Sequence, residues 1–316
     1  MAYVSIVVPV YHNASSLPNL LDRFRNLADL NSSDRFEFIF VEDGSRDNSF
    51  EVLDTLAHTE PRMRIVKLSR NFGSNAAVLA GLSHARGDAV AAIAADLQDP
   101  PELIHEMLAQ WRAGHKVVLA TRRTRDDPGL TAVISDIFYW LFRRYAIGAM
   151  PRRGFDFFLI DYQVCELITR IQENNAYLMG LILWMGFDRA IVPYDRVKRN
   201  SEYGRSMWSF TRKVKYFIDA FAAFSFVPVR AASVVGFLVA TAGLIYALVV
   251  IIARVFFDFP VEGWASLMVV VLLASGTQMI MLGILGEYLW RTLDETRRRP
   301  QYIVERILEA ADDAQR

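Results

Sequence analysis

One short acidic stretch of the sequence could carry chemistry. Asp96, Gln98 and Asp99 follow the apolar run AVAAIAA and come directly before two prolines. Carboxylate and amide oxygens are the ligands that hard divalent cations such as Mg²⁺ take from proteins. The stretch looks like half of a metal site, because Ala94 occupies the position from which a second carboxylate could face Asp96.

Strand-like and helix-like segments alternate around this stretch. Strands are predicted in VSIVVPV, FEFIFVED, MRIVKLS, AVAAIAAD and KVVLATR, and helices over residues 17–30, 49–58, 75–85 and 102–111. Nearly continuous apolar strands that alternate with helices are typical of a mostly parallel sheet covered by helices on both faces. Ligands of such sheets bind at the carboxyl ends of the strands, so the polar residues that follow each strand are candidate site residues.

Composition and hydropathy limit the class of protein. The chain of 316 residues is 53% hydrophobic and has a formal net charge of zero. Residues 231–253 and 264–286 contain no charged side chain, and each stretch could cross a hydrocarbon core of about 30 Å as a helix. Basic residues precede the first stretch and follow the second. This predicts that the start of the first stretch and the end of the second lie in the cytoplasm. The single cysteine, Cys165, excludes an internal disulfide.

Two aromatic segments lie between the alternating region and the apolar stretches. Residues 206–224 place apolar and aromatic side chains at three- and four-residue spacing, with Arg212, Lys213 and Lys215 mostly off that stripe. An aromatic face with a basic flank beside a membrane span predicts a helix that lies in the membrane interface. Residues 130–147 are also apolar and aromatic. For both segments an ordinary core helix is the alternative.

Six motifs together resemble the polyprenyl-phosphate glycosyltransferases of glycosyltransferase family 2, which include dolichyl-phosphate mannose synthase and bacterial undecaprenyl-phosphate glucosyl- and aminoarabinosyltransferases. The motifs are VPVYHN, VEDGSRDNS, LSRNFGSNAAVLAGL, ADLQDPPEL, GFDFFLID and RVKRNSEYGRSMWS. The resemblance implies an α/β fold of the GT-A type, followed by interfacial helices and two transmembrane helices. It divides the chain into a cytoplasmic catalytic domain (1–205), an interfacial helix (206–229), a transmembrane hairpin (230–290) and a cytoplasmic tail (291–316).

The resemblance also implies a reaction and a set of site residues. The expected reaction is the inverting transfer of a monosaccharide from a nucleotide-diphosphate sugar, with UDP-glucose or a related UDP-sugar expected, to undecaprenyl phosphate. The donor-binding residues are Pro9, Tyr11, Glu42, Asp43, Asn71 and Asp96. The ligands for Mg²⁺ or Mn²⁺ are Asp96 and Gln98, and Ala94 departs from the family pattern D-x-D-x-Q. The catalytic residues are Asp156, Arg122 and Arg199, and the lipid-phosphate-binding residues are Arg199, Arg205, Lys213 and Lys215.

The expected partners are the nucleotide sugar, the polyprenyl phosphate, the bilayer of the inner membrane and a second copy of the chain, with no nucleic acid. Several residues have structural alternatives. Asp43 could cap the turn before Gly44, Asp99 could cap the helix after the two prolines, Asp156 could be a surface residue before a helix, and single arginines could face water.

Two alternatives concern the whole protein. One is a non-catalytic membrane scaffold or binding subunit whose site has decayed, as Ala94 suggests. The other is a processive polysaccharide synthase, although the Q-x-x-R-W motif of such enzymes is not found in the sequence.

Overall fold

The computed structural model describes residues 1–123, 140–151, 154–171, 173, 177–196, 225, 227–257 and 263–309. The chain divides into two compact units, Met1–Ala220 with Pro300–Arg316 and Phe221–Arg299. The described strands of the first unit are β1 (Tyr3–Val10), β2 (Arg35–Glu42), β3 (Met63–Leu68), β4 (Ala89–Ala92), β5 (Val117–Arg122), β6 (Phe157–Asp161), β7 (Arg189–Tyr194) and β8 (Val304–Leu308). Its described helices are α1 (Leu17–Leu30), α2 (Ser49–Ala57), α3 (Ser74–Ser83), α4 (Leu103–Arg112), α5 (Tyr162–Arg170) and α6 (Leu178–Trp184).

The eight strands form one sheet in the order β7-β5-β6-β4-β1-β2-β3-β8. The pairs β1–β2, β1–β4, β2–β3 and β5–β7 are parallel, whereas β6 is antiparallel to β4 and β5, and β8 is antiparallel to β3. The prediction of a mostly parallel sheet is therefore confirmed. The carboxyl ends of six strands and the amino ends of β6 and β8 lie along one edge of this sheet.

Helices cover both faces of the sheet, as predicted. On one face the ring of Phe24 in α1 stacks on Phe38 of β2 with centroids 5.3 Å apart, and neither side chain is exposed to solvent. On the other face α3 lies so close that a Cβ at Gly81 would stand 2.2 Å from Cγ1 of Val7. Because successive residues of a strand point to opposite faces, the buried strand β1 contributes to both halves of the core.

The predicted strand over residues 89–96 is too long. β4 pairs with β1 only as far as Val7 and Ala92, and the last bond of this region runs from the N–H of Ile93 to the carbonyl of Val7 at 3.0 Å. The chain then turns, and Leu97 adopts a left-handed conformation with φ of 59°. The apolar run therefore supplies the strand and also the backbone that leads into the acidic turn.

The strand β8 belongs to the sheet although it follows the second apolar stretch in sequence. The N–H of Ser69, just after β3, donates to the carbonyl of Ile303 at 3.0 Å, and Lys67 pairs with Glu305 at 3.0 Å. The sequence boundaries above place these residues in a tail (291–316). The structure instead adds Val304–Leu308 to the edge of the first unit.

Only part of the predicted interfacial region is described. Residues 140–145 are helical, with Phe142 buried at 5.8 Å from the ring of Tyr177 and Trp140 55% exposed. The described part of segment 130–147 thus has both a core contact and an exposed aromatic side chain. Residues 206–224 lie outside the described residues, and the prediction of an interfacial helix there stays a prediction.

The second unit contains two long helices, α7 (Val227–Phe257) and α8 (Trp264–Thr296). Their stretches Val229–Ala253 and Ser266–Thr296 are long and apolar enough to cross a membrane. The predicted spans, residues 231–253 and 264–286, fall inside these helices. The two helices approach closely, since a Cβ at Gly236 would lie 2.8 Å from Cε of Met281.

Candidate active site

The loops that follow β1, β2 and β4 are joined into one surface at the carboxyl edge of the sheet. The N–H of His12 donates to Oγ of Ser45 at 3.1 Å, which connects the first loop to the second. Oγ of Ser16 donates to the carbonyl of Ala95 at 2.7 Å, which connects the start of α1 to the acidic turn. These bonds bring side chains from distant parts of the sequence together, and the surface that these loops share at the carboxyl edge is called the crevice.

The loop after β2 is also fastened to the loop after β3, and Asp43 makes the connection. Its two carboxylate oxygens accept the N–H groups of Phe72 and Gly73 at 2.7 and 2.9 Å. Gly44 makes the close approach possible, because its φ is +65° and a Cβ there would lie 2.4 Å from the backbone nitrogen of Asn71. Asp43 therefore binds the neighbouring loop, and these two bonds go to that loop and not to its own turn, which does not support the alternative of a turn cap.

Burial dominates the protonation of Asp43. The side chain is 2% exposed, and burial raises its pKa to about 6 although the two backbone N–H groups oppose this change. Glu42 is also buried, and its Oε1 accepts the N–H of Ser45 at 2.5 Å. Both acids of the predicted donor site are thus buried, and they hold the loops of the site in place through hydrogen bonds to backbone N–H groups.

The other predicted donor-binding residues lie at the same edge with different exposures. Pro9 is half-buried and pairs with Val41 in the register of β1 and β2. The ring of Tyr11 contacts His12 edge-on with centroids 4.3 Å apart, and Asn71 is exposed on the loop after β3. The structure brings these residues to the same edge of the sheet, with Tyr11 half-buried and Asn71 exposed.

The acidic turn after β4 is compact. Asp96 is 8% exposed, and its Oδ1 accepts the N–H of Gln98 at 3.2 Å. Among the residues that the structure describes, no group of three or more His, Cys, Asp or Glu side chains is placed to hold a metal ion. The turn can therefore offer a cation the carboxylate of Asp96 and the amide oxygen of Gln98, while its other carboxylate, Asp99, is bonded to Tyr194.

Asp99 has a different role from the one that its position before two prolines suggests. It is 1% exposed, and Oδ1 accepts the hydroxyl of Tyr194 at 2.5 Å. The helix α4 begins only at Leu103 and has no side-chain cap, so the alternative that Asp99 caps this helix is wrong. Burial raises the pKa of Asp99, while Arg196 and Tyr194 act in the opposite direction.

The predicted catalytic residues Arg122 and Asp156 are in contact. Nη2 of Arg122 lies 3.0 Å from Oδ2 of Asp156. The contact follows from topology, because Arg122 ends β5 and Asp156 precedes the antiparallel strand β6 at the same edge. Asp156 is 66% exposed and precedes a strand, so the alternative of a surface Asp is right about its exposure and wrong only about the helix expected after it. Burial lowers the pKa of Arg122, but Asp156 and Tyr194 outweigh this and raise it above its usual value.

Arg196 was not among the predicted site residues, yet it contacts both acids of the turn. Its Nε lies 3.3 Å from Oδ1 of Asp99, and Nη2 lies 3.9 Å from Oδ2 of Asp96. Arg196 is the first residue of the motif RVKRNSEYGRSMWS, so the sequence contained a signal for it, although only Arg199 and Arg205 of this motif were predicted to be site residues. Its position just after β7 is a second signal, but that strand was not predicted.

The remaining predicted residues, Arg199, Arg205, Lys213 and Lys215, lie outside the described residues. Their assignment to the lipid phosphate stays a prediction.

Comparison with known proteins identifies the family. The profile described as glycosyl transferase family 2 matches residues 5–164. An uncharacterized glycosyltransferase of Bacillus subtilis is 37% identical over 303 residues, which are 96% of this chain and 93% of the relative. The prophage bactoprenol glucosyl transferase homolog of Escherichia coli is 34% identical over 309 residues, which are 96% of this chain and 99% of the relative.

Solved structures agree in fold. A mannosyltransferase from Pyrobaculum calidifontis, in complex with GDP-Man and Mn²⁺, matches with a TM-score of 0.50 and 19% identity over 70% of this chain and 64% of that one. At this identity the likeness establishes the GT-A-type fold. The chain belongs to glycosyltransferase family 2 and is a glycosyltransferase of its polyprenyl-phosphate glucosyltransferase-like group.

Proposed function

We propose that the protein transfers glucose from UDP-glucose to undecaprenyl phosphate, with inversion at the anomeric carbon. The observation that carries this proposal is the match to the bactoprenol glucosyl transferase homolog, which spans 96% of this chain, both apolar helices included. An acceptor with a long polyprenyl chain favours an enzyme held at the membrane, because exposing each methylene to water costs about 0.8 kcal/mol.

The donor would bind in the crevice at the carboxyl edge of the sheet. Asp43 and Glu42 hold the loops after β2 and β3 in position, and Tyr11 and Asn71 are the groups at the surface that could contact the base or ribose. Binding in a preformed crevice at the ends of parallel strands is the general rule for α/β sheets.

The diphosphate of the donor would lie at the acidic turn. Asp96 and the amide oxygen of Gln98 would hold a divalent cation, Mg²⁺ or Mn²⁺, which when bound supplies positive charge to the leaving diphosphate. A set of one carboxylate and one amide fits a cation that keeps several waters and takes its other ligands from phosphate oxygens.

The transfer needs little help from a general base. An oxygen of the lipid phosphate forms the bond to the anomeric carbon, the bond from that carbon to the diphosphate breaks, and the electron pair leaves with UDP. A phosphate monoester is already largely ionised near neutral pH because its second pKa is near 6. Asp156, paired with Arg122, would orient the acceptor, while Arg199, Arg205, Lys213 and Lys215 would attract its phosphate.

We further propose that α7 and α8 anchor the protein in the inner membrane with the catalytic unit and both termini in the cytoplasm. The basic residues that precede the first apolar stretch and follow the second support this orientation. Packing between copies of the two helices would give a homo-oligomer.

The experiment is a transfer assay with membranes that contain the protein, undecaprenyl phosphate, Mg²⁺ and a panel of radiolabelled nucleotide sugars. We expect a lipid-linked monosaccharide from UDP-glucose, and about a hundredfold less from Asp96→Asn. Asp22→Asn is the matched control, because this side chain is 68% exposed on α1. Absence of product with every nucleotide sugar would refute the proposal, and a long polymer would indicate a processive synthase.

Ala94 favours one other function, a membrane scaffold or binding subunit with a decayed site. The variant Ala94→Asp separates the two possibilities. A large gain from a near-zero rate indicates decay, whereas a small change indicates a native site with one carboxylate.

A further inference from the structure

Arg196 is the first residue of the motif RVKRNSEYGRSMWS and is not among the predicted site residues, yet it lies at the acidic turn. The guanidinium lies between the two acids of the turn, with Nε 3.3 Å from Asp99 and Nη2 3.9 Å from Asp96. Its side chain is 26% exposed, whereas those of Asp96 and Asp99 are 10% and 1% exposed. A cation with this placement can reach an anion that enters the crevice above the acids.

Asp99 is positioned to hold the guanidinium of Arg196. It is fully buried, Oδ1 accepts the hydroxyl of Tyr194 at 2.5 Å, and Oδ2 has no hydrogen-bond partner in the described part of the chain. Nε of Arg196 is within ion-pair distance of Asp99 but makes no hydrogen bond to any described residue. The pair is thus held by charge and burial, and Asp99 does not occupy the guanidinium fork with a bidentate contact.

The charge balance of the turn differs from that of a site with two metal-binding acids. Ala94 stands where the family pattern D-x-D-x-Q has its first acid, which leaves one negative charge fewer, while Arg196 adds a positive charge beside Asp96. The described turn therefore attracts a divalent cation less strongly and an anion more strongly than a turn with two carboxylates would.

We propose that Arg196 binds the diphosphate of the nucleotide sugar. Its fixed positive charge then replaces part of the charge that a metal ion would supply if a second acid helped to bind it. This inference rests on the proposed function, since it places the donor diphosphate at the turn. Asp99 and Tyr194 act as positioning residues for the guanidinium. Nucleotide binding in this protein then depends on Arg196 even when no divalent cation is present.

The test measures equilibrium binding of UDP, uridine and inorganic pyrophosphate to the full chain in detergent, with EDTA and with Mn²⁺. In EDTA we expect Arg196→Gln to weaken UDP and pyrophosphate binding by about ten- to a hundredfold, the effect of a lost charge-assisted contact. Uridine binding should not change, because uridine lacks the diphosphate. Arg170→Gln is the matched control, since that side chain is 70% exposed and pairs only locally with Glu166.

A second variant separates binding from folding. Arg196→Gln leaves Asp99 buried without its cation, so the double variant Arg196→Gln with Asp99→Asn removes both charges of the pair. We expect the double variant to unfold at the temperature of the parent and still to bind UDP and pyrophosphate weakly. Restored binding in the double variant would mean that Arg196 only neutralises Asp99, and would overturn the inference.

Two further results bear on the inference. Pyrophosphate affinity in EDTA that stays within twofold in Arg196→Gln would also overturn it. Mn²⁺ binding, followed by electron paramagnetic resonance, should strengthen at least tenfold in Ala94→Asp, and unchanged binding would contradict the charge argument. A protein that binds pyrophosphate through Arg196 but forms no lipid-linked sugar would refute the proposed function alone.

Discussion

The close approach of the loops after β2 and β3 makes Gly44 the most sensitive backbone position of the crevice. In Gly44→Ala the new Cβ would lie 2.4 Å from the backbone nitrogen of Asn71 and 2.5 Å from the carbonyl carbon of Arg70. Backbone atoms cannot rotate away as a side chain can, so the loops must separate. The φ of +65° adds a left-handed penalty of about 1–2 kcal/mol for any residue with a Cβ.

Separation of the loops should break contacts of Asp43. Its bonds to the N–H groups of Phe72 and Gly73 are charge-assisted, and each is worth about 1.5–3 kcal/mol. Loss of one such bond together with the backbone penalty gives a destabilisation of about 2.5–5 kcal/mol. For a unit of this size that corresponds to a fall in Tm of roughly 5–20 °C.

Gly186→Ala is the matched control. Gly186 has nearly the same φ, +72°, but a Cβ added there would have no neighbouring atom within 4 Å. It should therefore show the backbone penalty alone, about 1–2 kcal/mol. The assay is thermal unfolding of the full chain in detergent, with UDP affinity measured on the same samples. Equal losses of Tm in the two variants, with unchanged UDP affinity in Gly44→Ala, would refute the argument that the two loops meet at this glycine.

Three other predictions follow from the described contacts. Removal of residues 301–316 should expose the edge of β3 and lower the Tm of the first unit. A synthetic peptide of residues 301–309 should restore the Tm. No change in Tm on removal would contradict the role of β8 in the sheet. Cys165, whose pKa burial raises to about 12, should resist iodoacetamide at pH 8 until the protein unfolds, because only about one thiol in ten thousand is then ionised; mass spectrometry checks this. Because the pKa of Asp43 is raised to about 6 in the folded state, against an unfolded value of about 3.9, its contribution to stability is fully present below pH 4 and is lost as the pH rises through 6, a change of about 3 kcal/mol. The stability difference between the parent and Asp43→Asn, measured at pH 4 and pH 7, should shift by about 2 kcal/mol, and a constant difference would exclude it.

Local sequence patterns determined many of the helices and strands of the first unit. The predicted helix over residues 17–30 matches α1, and the first three predicted strands differ from β1, β2 and β3 by one residue at either end. Strand and helix periodicity is a property of consecutive residues, so it needs no knowledge of the partner strands. The same holds for the two apolar helices, whose length and composition are visible in any window of the chain.

The strands that the sequence did not predict depend on distant partners. FFLID occurs in a recognised motif, but only its insertion between β4 and β5 makes it the antiparallel strand β6. β8 has two charged residues in five and pairs with a strand more than two hundred residues away. Its edge position lets these side chains remain in solvent, which explains the weak apolar signal.

The site divides in the same way. The sequence by itself determined that Asp43, Asp96, Arg122 and Asp156 are polar residues at strand ends or in motifs, and that Ala94 removes a carboxylate. Only the tertiary structure decided what each one contacts, because β6 and β7 bring residues from separate segments to one edge of the sheet. The pairing of Arg196 with the acids of the turn joins positions almost a hundred residues apart, and it depends on the register of β7 with β5.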